Sequence, residues 1–279
     1  MCKECGCGLG GDVKVGGPVE DHGHDHVHHH DHDSGQHHEH EHEHGHGHDH
    51  GHGPQTVTLQ RSLMEKNDRL AERNRGFFRA KKLLVLNVVS SPGSGKTTFI
   101  RETATKLAGR LRLGVIVGDL ATDNDAARLR TAGIPVVQIT TGTVCHLDAD
   151  MVAKAAEQMD LDQLDVLVIE NVGNLVCPAD YDLGEDLRVV LLSVTEGEDK
   201  PLKYPPMFHS AHVAVVTKSD MASAAGFDRN LALANLGRAS HHARIFELSA
   251  KTGEGMKAWL DFLAEQQAAV KSGRKSTKH

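Results

Sequence analysis

The segment Ser90-Ser91-Pro92-Gly93-Ser94-Gly95-Lys96-Thr97 constrains this chain more than any other. It follows Leu83–Val89, an apolar run rich in β-branched residues that reads as a buried strand. It precedes Phe99–Ala108, which reads as a helix. A glycine-rich loop in that setting turns backbone N–H groups and a helix N-terminus toward one point, which suits phosphate oxygens. Lys96 is placed to reach β- and γ-phosphates, and the Thr97 hydroxyl to ligate Mg²⁺. Gly93, Ser94, Gly95, Lys96, Thr97 and Thr98 form the expected phosphate-binding set. The first position of such a loop is usually glycine and is Ser90 here. A glycine-rich turn with a surface lysine is the bland alternative, and it leaves the flanking strand and helix unexplained.

Further strand candidates are Arg112–Val117, Pro135–Ile139, Asp165–Glu170, Val189–Val194, His212–Thr217 and Arg244–Leu248. Helices are expected over Asp148–Met159, Asp228–Ala239 and Gly255–Ala269, and an amphipathic helix from near Val57 with Leu59, Leu63 and Leu70 near one face. Continuous apolar strands alternating with helices predict an α/β fold: a P-loop NTPase with a mostly parallel sheet flanked by helices. Before Pro54 large apolar side chains are nearly absent, so ordering that stretch has little to offset its entropy. The expected division of the 279 residues is a disordered Cys/His-rich tail over 1–56 and a nucleotide-binding domain with an N-terminal helix over 57–279.

Base choice is read from Thr217-Lys218-Ser219-Asp220, at the end of a predicted strand. It resembles the Asn-Lys-x-Asp guanine motif with Thr217 in place of Asn, a departure expected to weaken packing of the guanine loop. The Asp220 carboxylate can accept from N1–H and the exocyclic amine of guanine, a donor pair that adenine lacks. The Lys218 stem can lie along the base, and Ser249-Ala250-Lys251 matches the loop that closes over it. Between these motifs the strand ending at Glu170 places an acid to organise Mg²⁺, with Gly173 set to sense the γ-phosphate. Asp119 and Asp123 are switch-loop candidates that could hold Mg²⁺ or position water, and Asp123 could equally cap the next helix. The expected catalytic residues are Lys96, Thr97, Asp119 and Glu170. No arginine is assignable as a finger, so intrinsic GTP hydrolysis is expected to be slow.

Five cysteines are an odd number, and three of them, Cys2, Cys5 and Cys7, sit within six residues. Metal or redox chemistry explains this better than disulfides. Thiolates so closely spaced, with the nearby α-amine, suit square-planar Ni²⁺, and Zn²⁺ could take the same sulfurs tetrahedrally. From His22 to His52, sixteen imidazoles alternate with Asp, Glu and Gly, a composition for storing or buffering divalent ions; a merely solubilising tail is the alternative. Cys145-His146 and Cys177 follow different predicted strands and should emerge at the same C-terminal sheet edge, where ligands of open α/β sheets bind. His209, His212, His241 and His242 have no such partner and read as ordinary surface or core residues.

The net charge of −7 and the absence of a basic, aromatic-interleaved stripe argue against nucleic acid as a partner. The Met1-Cys2-Lys3-Glu4-Cys5 terminus lacks a signal-peptide core, and no apolar run is long enough to span a bilayer, so a cytoplasmic location away from membranes is expected.

Over essentially the whole chain these motifs resemble the hydrogenase nickel-insertion GTPase family, often called HypB. The resemblance rests on Cys2-x-x-Cys5-Gly6-Cys7, the His tract, the loop Ser91–Thr97, Cys145-His146-Leu147-Asp148-Ala149, and Glu170-Asn171-Val172-Gly173-Asn174-Leu175-Val176-Cys177-Pro178. The segment Thr195–Pro205 is similar too. The resemblance implies nickel delivery to the large-subunit precursor of a [NiFe] hydrogenase, with a partner nickel metallochaperone supplying or receiving the ion. It also implies a GTP-dependent homodimer with Cys145, His146 and Cys177 near the subunit interface. Alternatives are a urease-type nickel-insertion GTPase, whose Cys-Pro-His order differs from the separate Cys145-His146 and Cys177-Pro178 here, a metal-storage protein with a regulatory nucleotide domain, and a general NTPase with a fortuitous tail.

Overall fold

In a computed structural model of the protein, residues 14–15 and 54–273 are described, with side chains from residue 61 onward. Cys2, Cys5, Cys7 and the His22–His52 tract lie outside the described residues; within the stretch expected to be disordered, Lys14–Val15 forms a strand and the helix expected from near Val57 begins at Pro54.

The elements in order are β1 (Lys14–Val15), α1 (Pro54–Ala80), β2 (Leu84–Val89), α2 (Lys96–Leu107), β3 (Leu113–Asp119), α3 (Asn124–Arg130), β4 (Val136–Thr140), α4 (Ala149–Ala156) and β5 (Val166–Glu170). There follow β6 (Leu187–Ser193), α5 (Lys200–Lys203), α6 (Pro205–His209), β7 (Val213–Thr217), α7 (Ala222–Ala225), α8 (Arg229–Ala239), β8 (Arg244–Glu247) and α9 (Met256–Lys271). The sheet order is β1-β4-β3-β5-β2-β6-β7-β8; β1 pairs antiparallel with β4, and the other seven strands run parallel. The predicted parallel sheet is thus observed, with most strand boundaries shifted by a residue or two.

Alternation along β2 divides the core. Leu84, Leu86 and Val88 face a layer with Phe99, Leu107, Trp259 and Leu263 from α2 and α9. Val85 joins the opposite layer with Phe78, Ile116, Val152 and Leu167. Burying each such side chain stabilises the fold by about 1.5–3 kcal/mol. The Trp259 indole N–H also finds the Thr103 hydroxyl at 3.0 Å, so its one polar atom is satisfied. Strand β2 lies between β5 and β6, where connections leave toward opposite sides of the sheet. The crevice beyond its C-terminal end is therefore the topological switch point, and the loop Ser90–Gly95 opens there.

Helix α1 corrects the expected leucine face. Leu63 is 52% exposed and Leu70 is half-buried, whereas Asn67, Ala71, Asn74 and Phe78 are buried at helical spacing. The two asparagines serve backbone groups of other elements. Asn67 donates to Asp182 O (2.9 Å) and accepts from Ala149 N (3.0 Å), and Asn74 donates to Ala149 O (2.7 Å) and Leu183 O (3.2 Å). Satisfying buried carbonyls outweighs apolar burial on this face.

Candidate nucleotide site and metal centre

The loop after β2 depends on its glycines. Gly95 precedes α2 with φ +98°, and Gly93 has φ +75°, backbone that L side chains rarely adopt. The Lys96 ammonium lies 3.1 Å from the Ser90 hydroxyl, which also accepts from the Ser94 hydroxyl. The departure from glycine at position 90 thus adds a polar contact inside the loop. Burial pushes the Lys96 ammonium below its ordinary value, opposed chiefly by the charge of Glu170. Glu170, at the end of β5, accepts from the Thr97 hydroxyl at 2.8 Å through Oε1, while its buried Oε2 has no protein partner. Burial raises this carboxyl to about 7, against the pull of Lys96 and the Thr97 hydrogen bond. A threonine hydroxyl and an under-satisfied carboxylate at the foot of a phosphate loop fit a divalent cation bound with phosphate.

Asp119 ends β3, and its Oδ1 accepts from Ala121 N and Thr122 N, both at 3.0 Å. Asp123 sits at the start of α3 without a side-chain capping bond, and its carboxylate is 3.9 Å from Arg130. The acid that sequence reasoning missed is Asp125, whose charge acts on both Lys96 and Glu170. Its only sequence signal is the acid spacing Asp119, Asp123, Asp125 after a strand.

Ser94, Gly95, Thr98, Phe99, Thr217, Lys218, Asp220, Met221, Ser249, Ala250 and Lys251 line one cavity of about 220 Å³. Loops after β2, β7 and β8 therefore meet, as the guanine reading requires. Lys218, at φ +60°, lays its stem past Gly95 and donates to Gly93 O at 2.7 Å. The Ser249 hydroxyl donates to Asp220 Oδ1 at 2.6 Å and fixes that carboxylate. Thr217 was expected to loosen this loop, yet its hydroxyl donates to Ser94 O at 3.0 Å and ties the two loops together.

A second cluster forms on the loops after β4 and β5. Ligand atoms of Cys145, His146 and Cys177 all fall within 4.8 Å of one another, with the two sulfurs 2.7 Å apart. His146 is only 6% exposed, its ring stacks on Tyr181 at 3.8 Å, and its Nδ1 has no hydrogen-bond partner. Burial pushes this imidazole below its ordinary value, which favours the neutral, metal-ligating form. Two thiols and a neutral imidazole are donors for a borderline or soft ion.

The segment Glu170–Asn174 touches both sites in turn. Glu170 meets Thr97, and a Cβ on Gly173 would lie 3.1–3.3 Å from Pro92, so this backbone packs on the phosphate loop. Asn171 Oδ1 accepts from Leu147 N at 3.3 Å, and Asn174 Nδ2 donates to Cys145 O at 3.4 Å, so these side chains hold the Cys145–Leu147 loop.

A family model described as CobW/HypB/UreG, nucleotide-binding domain, matches residues 84–247, from β2 through β8. The hydrogenase maturation factor HypB of Escherichia coli K12 is 52% identical over 207 residues, covering 74% of this chain and 71% of that one. The chain belongs to the CobW/HypB/UreG family, on its HypB side. The crystal structure of HypB from Helicobacter pylori in complex with nickel is similar at a TM-score of 0.71 and 39% identity, covering 77% of this chain and 99% of that one. That of HypB from Archaeoglobus fulgidus is similar at 0.68 and 39%, covering 73% and 99%. These HypB neighbours carry the same α/β fold. Among the described residues no helix is long and apolar enough to cross a membrane.

Proposed function

We propose that this protein is a GTP-hydrolysing nickel metallochaperone that serves insertion of nickel into a [NiFe] hydrogenase large-subunit precursor. The observation that carries this reading is the convergence of Cys145, His146 and Cys177 one short segment away from the phosphate loop. The HypB relationship, and the nickel bound to the Helicobacter pylori protein, support nickel as cargo. Zn²⁺ suits the same donors.

The division of labour follows from the residues. Backbone N–H groups of Gly93–Thr97 and the Lys96 ammonium bind and neutralise the β- and γ-phosphates. Asp220, held by Ser249, selects guanine, and Lys218, Ala250 and Lys251 enclose the base. Thr97 and Glu170, with Asp119 nearby, would hold Mg²⁺, which supplies charge stabilisation on the phosphates when bound. Gly173, packed on Pro92, senses the γ-phosphate and passes its state to Cys177. Cys2, Cys5 and Cys7 form a separate thiolate site, and the His22–His52 tract buffers nickel in the cytoplasm. Residues 1–56 and 57–279 are the two functional units, and the working form is a GTP-dependent homodimer that exchanges nickel with a partner metallochaperone.

The test measures GTP turnover and nickel-dependent hydrogenase maturation for the intact chain and for Cys145→Ser/Cys177→Ser. The variant should keep nucleotide binding and lose maturation. Full maturation without these sulfurs would exclude the reading.

A further inference from the structure

Three histidines with no metal partner in sequence come together in space. His209 ends α6, and His241 and His242 follow α8, in the loops that lead into the adjacent parallel strands β7 and β8. They therefore lie at the N-terminal edge of the sheet, opposite the edge that carries the phosphate loop and Cys145, His146 and Cys177. The His242 ring is 5.6 Å from His209 at 85° and 5.3 Å from His241 at 82°. His209 and His241 are exposed and His242 is half-buried. Among the described residues, none of the three rings has a carboxylate or other hydrogen-bond partner, and their ring contacts are with one another. His212 stands apart, because its Nδ1 accepts from Arg188 N at 3.0 Å.

We propose that His209, His241 and His242 form a second metal site for a borderline divalent ion such as Ni²⁺ or Zn²⁺, with His242 the shared ligand. Two imidazoles that bind one tetrahedral ion at about 2.0–2.1 Å have ring centroids roughly 5 Å apart. The His209–His242 and His241–His242 separations match that spacing, and the site forms when the exposed rings rotate to turn their nitrogens toward a common ion. This distinguishes the site from Cys145, His146 and Cys177, whose ligand atoms already converge. Imidazole donors without thiolate or carboxylate favour Ni²⁺, Cu²⁺ and Zn²⁺ over Mg²⁺. Exposure makes the site open and fast to exchange, a surface position where an ion is picked up or handed on. The proposal does not depend on the nucleotide site or on nickel delivery to hydrogenase.

The experiment is carbethoxylation of the full chain, read residue by residue through peptide mass mapping. Nickel(II) is raised until the His22–His52 tract is protected, so that metal binding is established in the same sample, and a parallel sample receives Mg²⁺ instead. The expected result is at least fivefold slower modification of His242, with His209 and His241 slowed alongside, and no protection by Mg²⁺ at the same concentration. His242→Gln should remove protection from His209 and His241, and His209→Asn should weaken it at His242. Unchanged modification of His242 while the tract is protected would overturn the proposal. Equal protection by Mg²⁺, or protection of His209 and His241 that survives His242→Gln, would overturn it as well.

Discussion

The Asn171 side-chain oxygen accepts the backbone N–H of Leu147 at 3.3 Å, which joins the residue after the buried acid Glu170 to the residue after His146. The same carboxamide donates to Asn87 Oδ1 at 3.2 Å, on the strand that leads into the phosphate loop. With Asn174 holding the Cys145 carbonyl, a short stretch of chain links phosphate contacts to metal-loop contacts. Under the proposed function, a shift at Gly173 or Glu170 would pass along these contacts to the Cys145–Leu147 backbone, and metal ligation tolerates only a few tenths of an ångström.

The first prediction is a coupling. Nickel should change the GTP-to-GDP affinity ratio of the intact chain by roughly 5–150-fold, about 1–3 kcal/mol. Asn171→Ala with Asn174→Ala should bring that factor toward one while both nucleotides still bind. Nucleotide titrations with and without nickel measure it, and an equal ratio in the parent protein would refute the link.

The proposed base selection uses Asp220, whose carboxylate the Ser249 hydroxyl holds at 2.6 Å. Asp220→Asn should lose GTP by roughly 10⁴ and gain xanthosine triphosphate, whose altered edge accepts from the Asn amide. Competition binding with the two nucleotides decides it. Unchanged GTP affinity would remove Asp220 from the role.

A buried ion pair supports the loop that carries Cys177. Glu185 and Arg188 are 7% and 6% exposed, and Arg188 also donates to Ala179 O, Tyr181 O and the Ser210 hydroxyl. Burial alone would raise the Glu185 carboxyl, but the Arg188 charge and several hydrogen bonds hold it down at about 2. A carboxyl lowered by folding stabilises above its unfolded value of 4.5 and loses that contribution as pH falls through 4.5 toward 2. Glu185→Gln leaves Arg188 uncompensated and should cost about 3–5 kcal/mol near neutral pH. Urea unfolding of both proteins at pH 7 and below pH 4 should show the difference shrinking in acid.

With no arginine assigned to the transition state, basal GTP turnover should be on the order of 10⁻⁴–10⁻² s⁻¹. Lys96→Ala should abolish it while circular dichroism stays unchanged, since the ammonium's recorded side-chain contact is the Ser90 hydroxyl and not the core. Fast basal turnover in single-turnover assays would contradict the first part, and normal turnover in the variant the second.

Removal of residues 22–52 should sharply lower the number of bound nickel ions and leave GTP turnover within a small factor. Equilibrium dialysis and phosphate release measure the two. A collapse of turnover would show that the tract supports the nucleotide domain.

What the sequence determined by itself is local. β-Branched apolar runs specified the strands, and glycines at Gly93 and Gly95 specified the phosphate loop, because each acts through its immediate backbone. The motifs at Thr217–Asp220 and Ser249–Lys251 were legible for the same reason. Tertiary structure alone decided which distant groups meet. It set the 2.7 Å approach of Cys145 and Cys177, whose shared sheet edge the strand pattern already indicates, and brought the Thr217 hydroxyl to Ser94 O across 123 positions. It also set Asp125 where its charge acts on Lys96, turned Asn67 and Asn74 inward where leucines were expected, and gathered His209, His241 and His242. Such pairings follow from the sheet order β4-β3-β5-β2-β6-β7-β8 and from unmet hydrogen bonds inside it. Neither leaves a periodic trace along the chain, because both are properties of neighbours that sequence distance does not encode.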